Sequence, residues 1–230
     1  MIKLYHHPLC PHSRFARLAL AEYGIEPELV EELAPERRHD FLAINPAGQT
    51  PVMVDEDGTR VPGAVNIAEY LDETRGHLLG DHRLMPPDPV ARVEVRRLLD
   101  WFHAKFFAEV SSHLVMEKVY KRFLSPERGG GAPNMDAVRV ARHNVLYHMA
   151  YIGYLTTHHN WLAGDAITYA DLAAAAHLSS VDFLGDAPWD EDDGARHWYA
   201  MLKSRRSFRP LLADRVRGIQ PSAVYADLDF

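Results

Sequence analysis

A change of hydrophobic rhythm about a third of the way along the chain constrains its fold more than any other feature. Up to about residue 76, short apolar runs of strand length alternate with segments in helical spacing; beyond that point only helical periodicity recurs. Ile2 to Tyr5 form a strand-like run closed by His6-His7-Pro8. Pro11 then opens a stretch in which Phe15, Leu18, Ala19 and Glu22 follow helical spacing as far as Gly24. Glu28 to Glu31 reads as a second strand, and Pro35 as the first residue of a helix that ends before Asn45-Pro46. Pro51 to Val54, the turn Asp55 to Gly58, and Thr59 to Val61 predict a hairpin, and a helix from about Ala64 to Glu73 closes the unit. The expected order is βαβαββα.

The remainder predicts a helical domain. We place the first domain at 1–78, a linker at 79–89 rich in proline, the helical domain at 90–217 and a tail at 218–230. Val90 to about Phe123 is one long amphipathic pattern carrying Val93, Leu98, Trp101, Phe102, Phe106 and Val110. Its aromatics, Phe107 included, are expected in the core and in dimer packing rather than in a pocket. Gly129-Gly130-Gly131 lies in a loop and lacks the Gly-Lys-Ser/Thr of a phosphate loop. A helix is expected over Asp136 to His158. Thr168 and Asp171 have the spacing of a capping box, with Ile167 and Leu172 as a hydrophobic staple. The small residues Ala173 to Ala176 then permit close backbone packing at a domain centre.

Composition excludes several classes of function. With 47% hydrophobic residues and a net charge of −7, the chain has no bulk attraction for nucleic acid or anionic membrane, and no apolar run reaches the roughly 18 residues of a membrane span. No direct membrane insertion is expected, and a cytoplasmic protein is. The single cysteine, Cys10, excludes an internal disulfide and a cysteine-based zinc site. Fourteen histidines include the pairs His6-His7 and His158-His159, but adjacent residues point apart on regular structure; these are read as solvated or capping, and no metal ligand is assigned. Arg205, Arg206, Arg209, Arg215 and Arg217 are read as structural or solvated.

Residues Leu4-Tyr5, Cys10-Pro11-His12-Ser13-Arg14, Gly24-Ile25, Asn45 to Val52, Ile67-Ala68-Glu69-Tyr70-Leu71 and the Thr168 to Asp171 cap occur in an order that resembles the cytosolic glutathione S-transferase superfamily over about residues 1–217. The resemblance implies an α+β/α architecture: a thioredoxin-like N-terminal domain followed by an all-helical C-terminal domain, usually in a homodimer. It also implies a cis peptide at Thr50-Pro51 and a glutathione cleft beside the first helix. If the chain is an enzyme, Cys10 is the nucleophile and Ser13 its hydrogen-bond partner. A thiol at a helix N-terminus is acidified by amides and dipole, with His12 and Arg14 as cationic neighbours.

Against catalysis stands the other half of that site. Family members that grip glutathione open the last helix of the first domain with an acidic residue or Gln followed by Ser; here Gly63-Ala64 align to that pair. Thr50, Pro51, Gly63 and Ala64 are therefore read as a degenerate glutathione site, with no cofactor; glutathione enters only under the enzymatic alternative, a Cys10-dependent transferase or thiol reductase.

A narrower resemblance, to a division-associated branch of the superfamily in alphaproteobacteria, implies a non-catalytic adaptor. Such a homodimer binds FtsZ polymers at the division site, couples them to wall synthesis and has FtsK as a possible second partner. The tail pattern of Tyr225, Asp227, Leu228, Asp229 and Phe230, where apolar anchors alternate with acids, is that of a segment docking on a partner or on the protein itself; Lys118, Lys121 and Arg122 are candidate contacts to the acidic polymer. Removing the tail is expected to leave the protein folded.

Overall fold

The computed structural model describes residues 1–228. Asp229 and Phe230, assigned above to partner docking, lie outside the described residues. Strands β1 (Lys3–His6), β2 (Glu28–Glu31), β3 (Val52–Val54) and β4 (Arg60–Pro62) form one sheet in the order β2-β1-β3-β4. β1 pairs parallel with β2 and antiparallel with β3, which pairs antiparallel with β4. The parallel step requires a crossover, supplied by α1 (Pro11–Glu22). Helices α2 (His39–Ile44) and α3 (Ala64–Arg75) complete the expected βαβαββα unit.

Pro11 starts α1 without forfeiting a hydrogen bond, and Gly24 ends the turn after it at φ +69°. The predicted helix from Pro35 is split. Pro35 belongs to a short 3₁₀ turn (Ala34–Glu36), and Arg37, left-handed at φ 50°, separates that turn from α2. The Thr50-Pro51 bond is cis, as expected.

The second domain consists of α4 (Pro89–Asp100), α5 (Ser112–Lys118), α6 (Met135–Thr156), α7 (Tyr169–Phe183), α8 (Asp193–Lys203) and the short α9 (Arg209–Leu212). The predicted 90–123 helix runs unbroken from Pro89 to Lys118, but Trp101–Ser111 winds as a π-helix before α5 resumes the α form. Such wide turns are rare and concentrate at functional sites. Here they direct His103, Phe107 and Ser111, four residues apart, toward one histidine of α7, His177. The capping box forms as predicted, and α7 is buried along its whole length. Its alanines let α1 approach closely, so α1 is pressed between the sheet and α7 and buries even Arg14 and Arg17.

The segment between the domains is anchored: Leu84 and Met85 are buried, Arg83 pairs with Asp72, and Tyr169 N–H donates to Leu84 C=O. The tail through Leu228 is also partly anchored. Tyr225 is fully buried with Leu9, Val115, Phe183 and Ile219. Its hydroxyl accepts from Arg14 Nη1 (2.8 Å) and donates to Leu211 C=O (2.9 Å). Tyr225 thus docks on its own subunit, one of the two alternatives for the tail, and its assignment as a partner contact is corrected. A cut before Tyr225 would uncover buried apolar surface and strip a partner from a buried guanidinium, so such a truncation is expected to lower stability.

Candidate functional site

Between the two domains lies a cleft of about 650 Å³ lined by Cys10, His12, Thr50, Gly63, Ala64 and, from the π-helical turns, His103 and Phe107. Phe107 therefore faces the cleft, correcting its core assignment, while Phe102 and Phe106 are core residues as expected. Cys10 caps α1. Its sulfur accepts from Thr50 Oγ1 at 3.7 Å and lies 3.9 Å from Thr50 C=O. Burial pushes the thiol pKa up, but hydrogen bonds and charge from His12, with hydrogen bonds from Ser13, outweigh it and bring the value down to about 7. Ser13 is buried and also accepts from His7 N–H. Tyr120 hydrogen-bonds the same sulfur, and burial first, then the Cys10 charge, holds its phenol well above its ordinary range. Arg14 does not assist the thiolate: its guanidinium reaches Pro8 C=O, Ser179, Tyr225 and Asp214.

The opposite wall is bare. Gly63, at φ 90°, caps α3 without a side-chain acceptor, and the first turn of α3 carries no acid. Gly63 N–H donates to Pro51 C=O (2.9 Å), which ties the cap to the cis-proline turn. The amides of α3 can still meet a carboxylate. Among the described residues, however, no carboxylate lines the cleft to meet an ammonium. The two missing charge-assisted contacts are worth roughly 1.5–3 kcal/mol each, on the order of a hundredfold to ten-thousandfold in affinity.

The histidines depart from expectation. His6 and His7 are buried, not solvated, although His7 Nδ1 accepts from Leu9 N–H (3.2 Å) in the capping manner expected; burial first, with nearby Arg14 among the lesser causes, lowers both pKa values to about 3. His158 and His159 are exposed, as expected. Sequence reasoning missed a third group: His12, His103 and His177 bring one ring nitrogen each to within 4.8 Å of one another. Their separation in the chain, 74 residues between His103 and His177, leaves no local signal.

Of the basic residues proposed as partner contacts, Lys118 is bound to Asp186 and Leu184 C=O, and Lys121 pairs with Glu117. Arg122 is exposed and donates to Gly218 C=O. Asp227 and Leu228 are exposed. Arg205 forms a two-pronged pair with Glu22 across the domain boundary, a structural role as expected.

The profile of the glutathione S-transferase N-terminal domain matches residues 9–74. The chain is 42% identical over 230 residues to "FtsZ-localized protein A" of Caulobacter vibrioides, covering 99% of this chain and 97% of that protein. A crystal structure of a glutathione S-transferase from Sinorhizobium meliloti superposes with a TM-score of 0.97 at 51% identity, covering all of both chains. A structure of FzlA from C. crescentus superposes at 0.91 and 41% identity, covering all of this chain and 99% of that one.

Proposed function

The chain belongs to the glutathione S-transferase superfamily, and from that premise we propose that it is a non-catalytic adaptor that binds FtsZ polymers as a homodimer at the division site and couples them to wall synthesis. The observation that carries this reading is the 42% identity to FtsZ-localized protein A over 99% of this chain, together with the FzlA fold match. The unlined ammonium position opposite Gly63-Ala64 supports the loss of transferase chemistry.

Dimerisation has physical support in an apolar face left open to solvent. Val90 and Val93 of α4 and Val140, Tyr147 and Tyr154 of α6 are all more than half exposed. Tyr147 and Tyr151 of α6 pack on Trp101, directly after α4. Covering such a face with its own copy gives a twofold particle, and two weak polymer contacts per particle add up through effective concentration. No helix among the described residues is long and apolar enough to cross a membrane.

The test is co-sedimentation with polymerised FtsZ. Intact protein is expected in the pellet with the polymer. Charge reversal of Lys121 and Arg122 is expected to weaken the association about tenfold. A chain cut after Asp227, which keeps Tyr225 seated, is expected still to pellet but to lose a second partner such as FtsK. Intact protein that stays in the supernatant would remove the proposal.

One observation favours the enzymatic alternative: the Cys10 thiol, at a helix N-terminus and brought to about 7, is chemically competent as a nucleophile. Competence without a seat for the substrate's amino end ranks it second.

A further inference from the structure

Independently of the adaptor reading, the three-histidine cluster has the composition of a metal site. His12 comes from α1, His103 from the π-helical turns and His177 from the middle of α7. His103 Nδ1 lies 3.1 Å from His177 Nε2. Two nitrogens about 2.0–2.1 Å from a tetrahedral zinc ion stand about 3.3 Å apart, so little movement would admit an ion between them. The back of the His177 ring is fixed as metal-binding imidazoles usually are, with Nδ1 hydrogen-bonded to Ser111 Oγ at 2.8 Å. His12 stacks on His103, ring centroids 5.0 Å apart, and its Nε2 lies 3.2 Å from the His103 carbonyl.

The cluster is also incompletely satisfied. His103 Nε2 is buried and has no hydrogen-bond partner. Moving the shared proton between His103 Nδ1 and His177 Nε2 does not satisfy it. A cation seated between those two nitrogens takes the place of the bridging proton and fixes the proton of a neutral His103 on Nε2.

The donor set selects the ion. Uncharged imidazoles suit zinc, copper, nickel or cobalt, whereas magnesium and calcium require oxygen ligands. We propose that His12, His103 and His177 bind a zinc-class divalent cation, with a further coordination position open to the cleft beside Cys10. Such an ion ties α1 of the first domain to two helical segments of the second.

The experiment is a zinc titration of the full chain, stripped beforehand with a chelator and measured in competition with a chromogenic chelator. One zinc per chain is expected, with at least a tenfold loss of affinity in His12→Ala and in His103→Ala, and no response to magnesium. His12 is only partly buried, so its variant is expected to fold, as circular dichroism checks. Zinc is expected to raise the melting temperature of the wild type and not that of His12→Ala. The double variant at the exposed pair, His158→Ala/His159→Ala, is expected to bind as the wild type does. Equal zinc affinity in wild type and His12→Ala, or loss of binding only in the His158/His159 variant, would overturn the proposal.

Discussion

Replacing Arg14 by alanine is expected to cost about 3–5 kcal/mol of stability, the range found when one partner of a buried ion pair is removed. The guanidinium is fully buried and uses four partners: Pro8 C=O at 2.7 Å, Ser179 Oγ at 2.9 Å, Tyr225 Oη at 2.8 Å and Asp214 Oδ2 at 3.0 Å. These lie in the loop before α1, in α7, in the tail and after α9, so one side chain joins both domains to the chain's end. Alanine leaves a large void and a tyrosine hydroxyl with one partner fewer. Arg17 still pairs with both oxygens of Asp214, at 2.9 Å each, which limits the loss. Lysine is no substitute, because one ammonium cannot span four acceptors in that planar fork. Urea unfolding of wild type and variant measures the difference. A loss below about 1 kcal/mol would show that the network contributes little. Faster proteolysis near Val224 is expected in the variant, because the tail loses its anchor.

The second large effect is at Asp171. Its buried carboxylate accepts from Leu162 N–H (2.9 Å), Thr168 N–H (2.9 Å) and Trp198 Nε1–H (3.0 Å), and from the Thr168 hydroxyl. Asp171→Ala strands three buried N–H donors, each costing about 1–3 kcal/mol when unpaired, and dismantles the capping box of the central helix. A net loss of about 3–5 kcal/mol is expected, seen as a melting temperature lower by roughly 6–20 °C for a chain of this size. Thr168→Ala, which removes the hydroxyl and one methyl but leaves the carboxylate hub, is expected to lose about 1 kcal/mol. Equal effects at the two positions would contradict the assignment of Asp171 as the hub.

These two sites also mark how far the sequence could be read. The Leu162 and Trp198 donors, 9 and 27 residues from Asp171, give no local signal. Asp171 and Thr168, however, are three residues apart, and the capping box they form lies within one helical turn, so spacing alone identifies the cap. The strand and helix order of the first domain was legible for the same reason. The helix expected from Pro35 is split because a proline start says nothing about the left-handed residue two positions later. Proximity in sequence to Cys10 suggests Arg14 as a neighbour of the thiol, whereas its partners Ser179 and Tyr225 lie 165 and 211 residues away. Tyr225 looked like a docking anchor because an alternation of apolar and acidic residues does not reveal whether the groove belongs to the same chain or to another. The cleft followed the same division. Cys10 and Gly63-Ala64 were visible from motif positions. His103, His177 and the π-helical turns that aim His103 at α1 became visible only once α1, the long aromatic helix and α7 were packed together.

The proposed loss of transferase chemistry rests on Gly63 and Ala64, whose hydrogen and methyl occupy the wall where an acid and a hydroxyl would grip the amino end of glutathione. A calorimetric titration of the full chain with reduced glutathione tests it most directly. The account predicts no saturable heat up to millimolar ligand. Micromolar affinity, accompanied by transferase activity that Cys10→Ala abolishes, would contradict it and make the chain an enzyme.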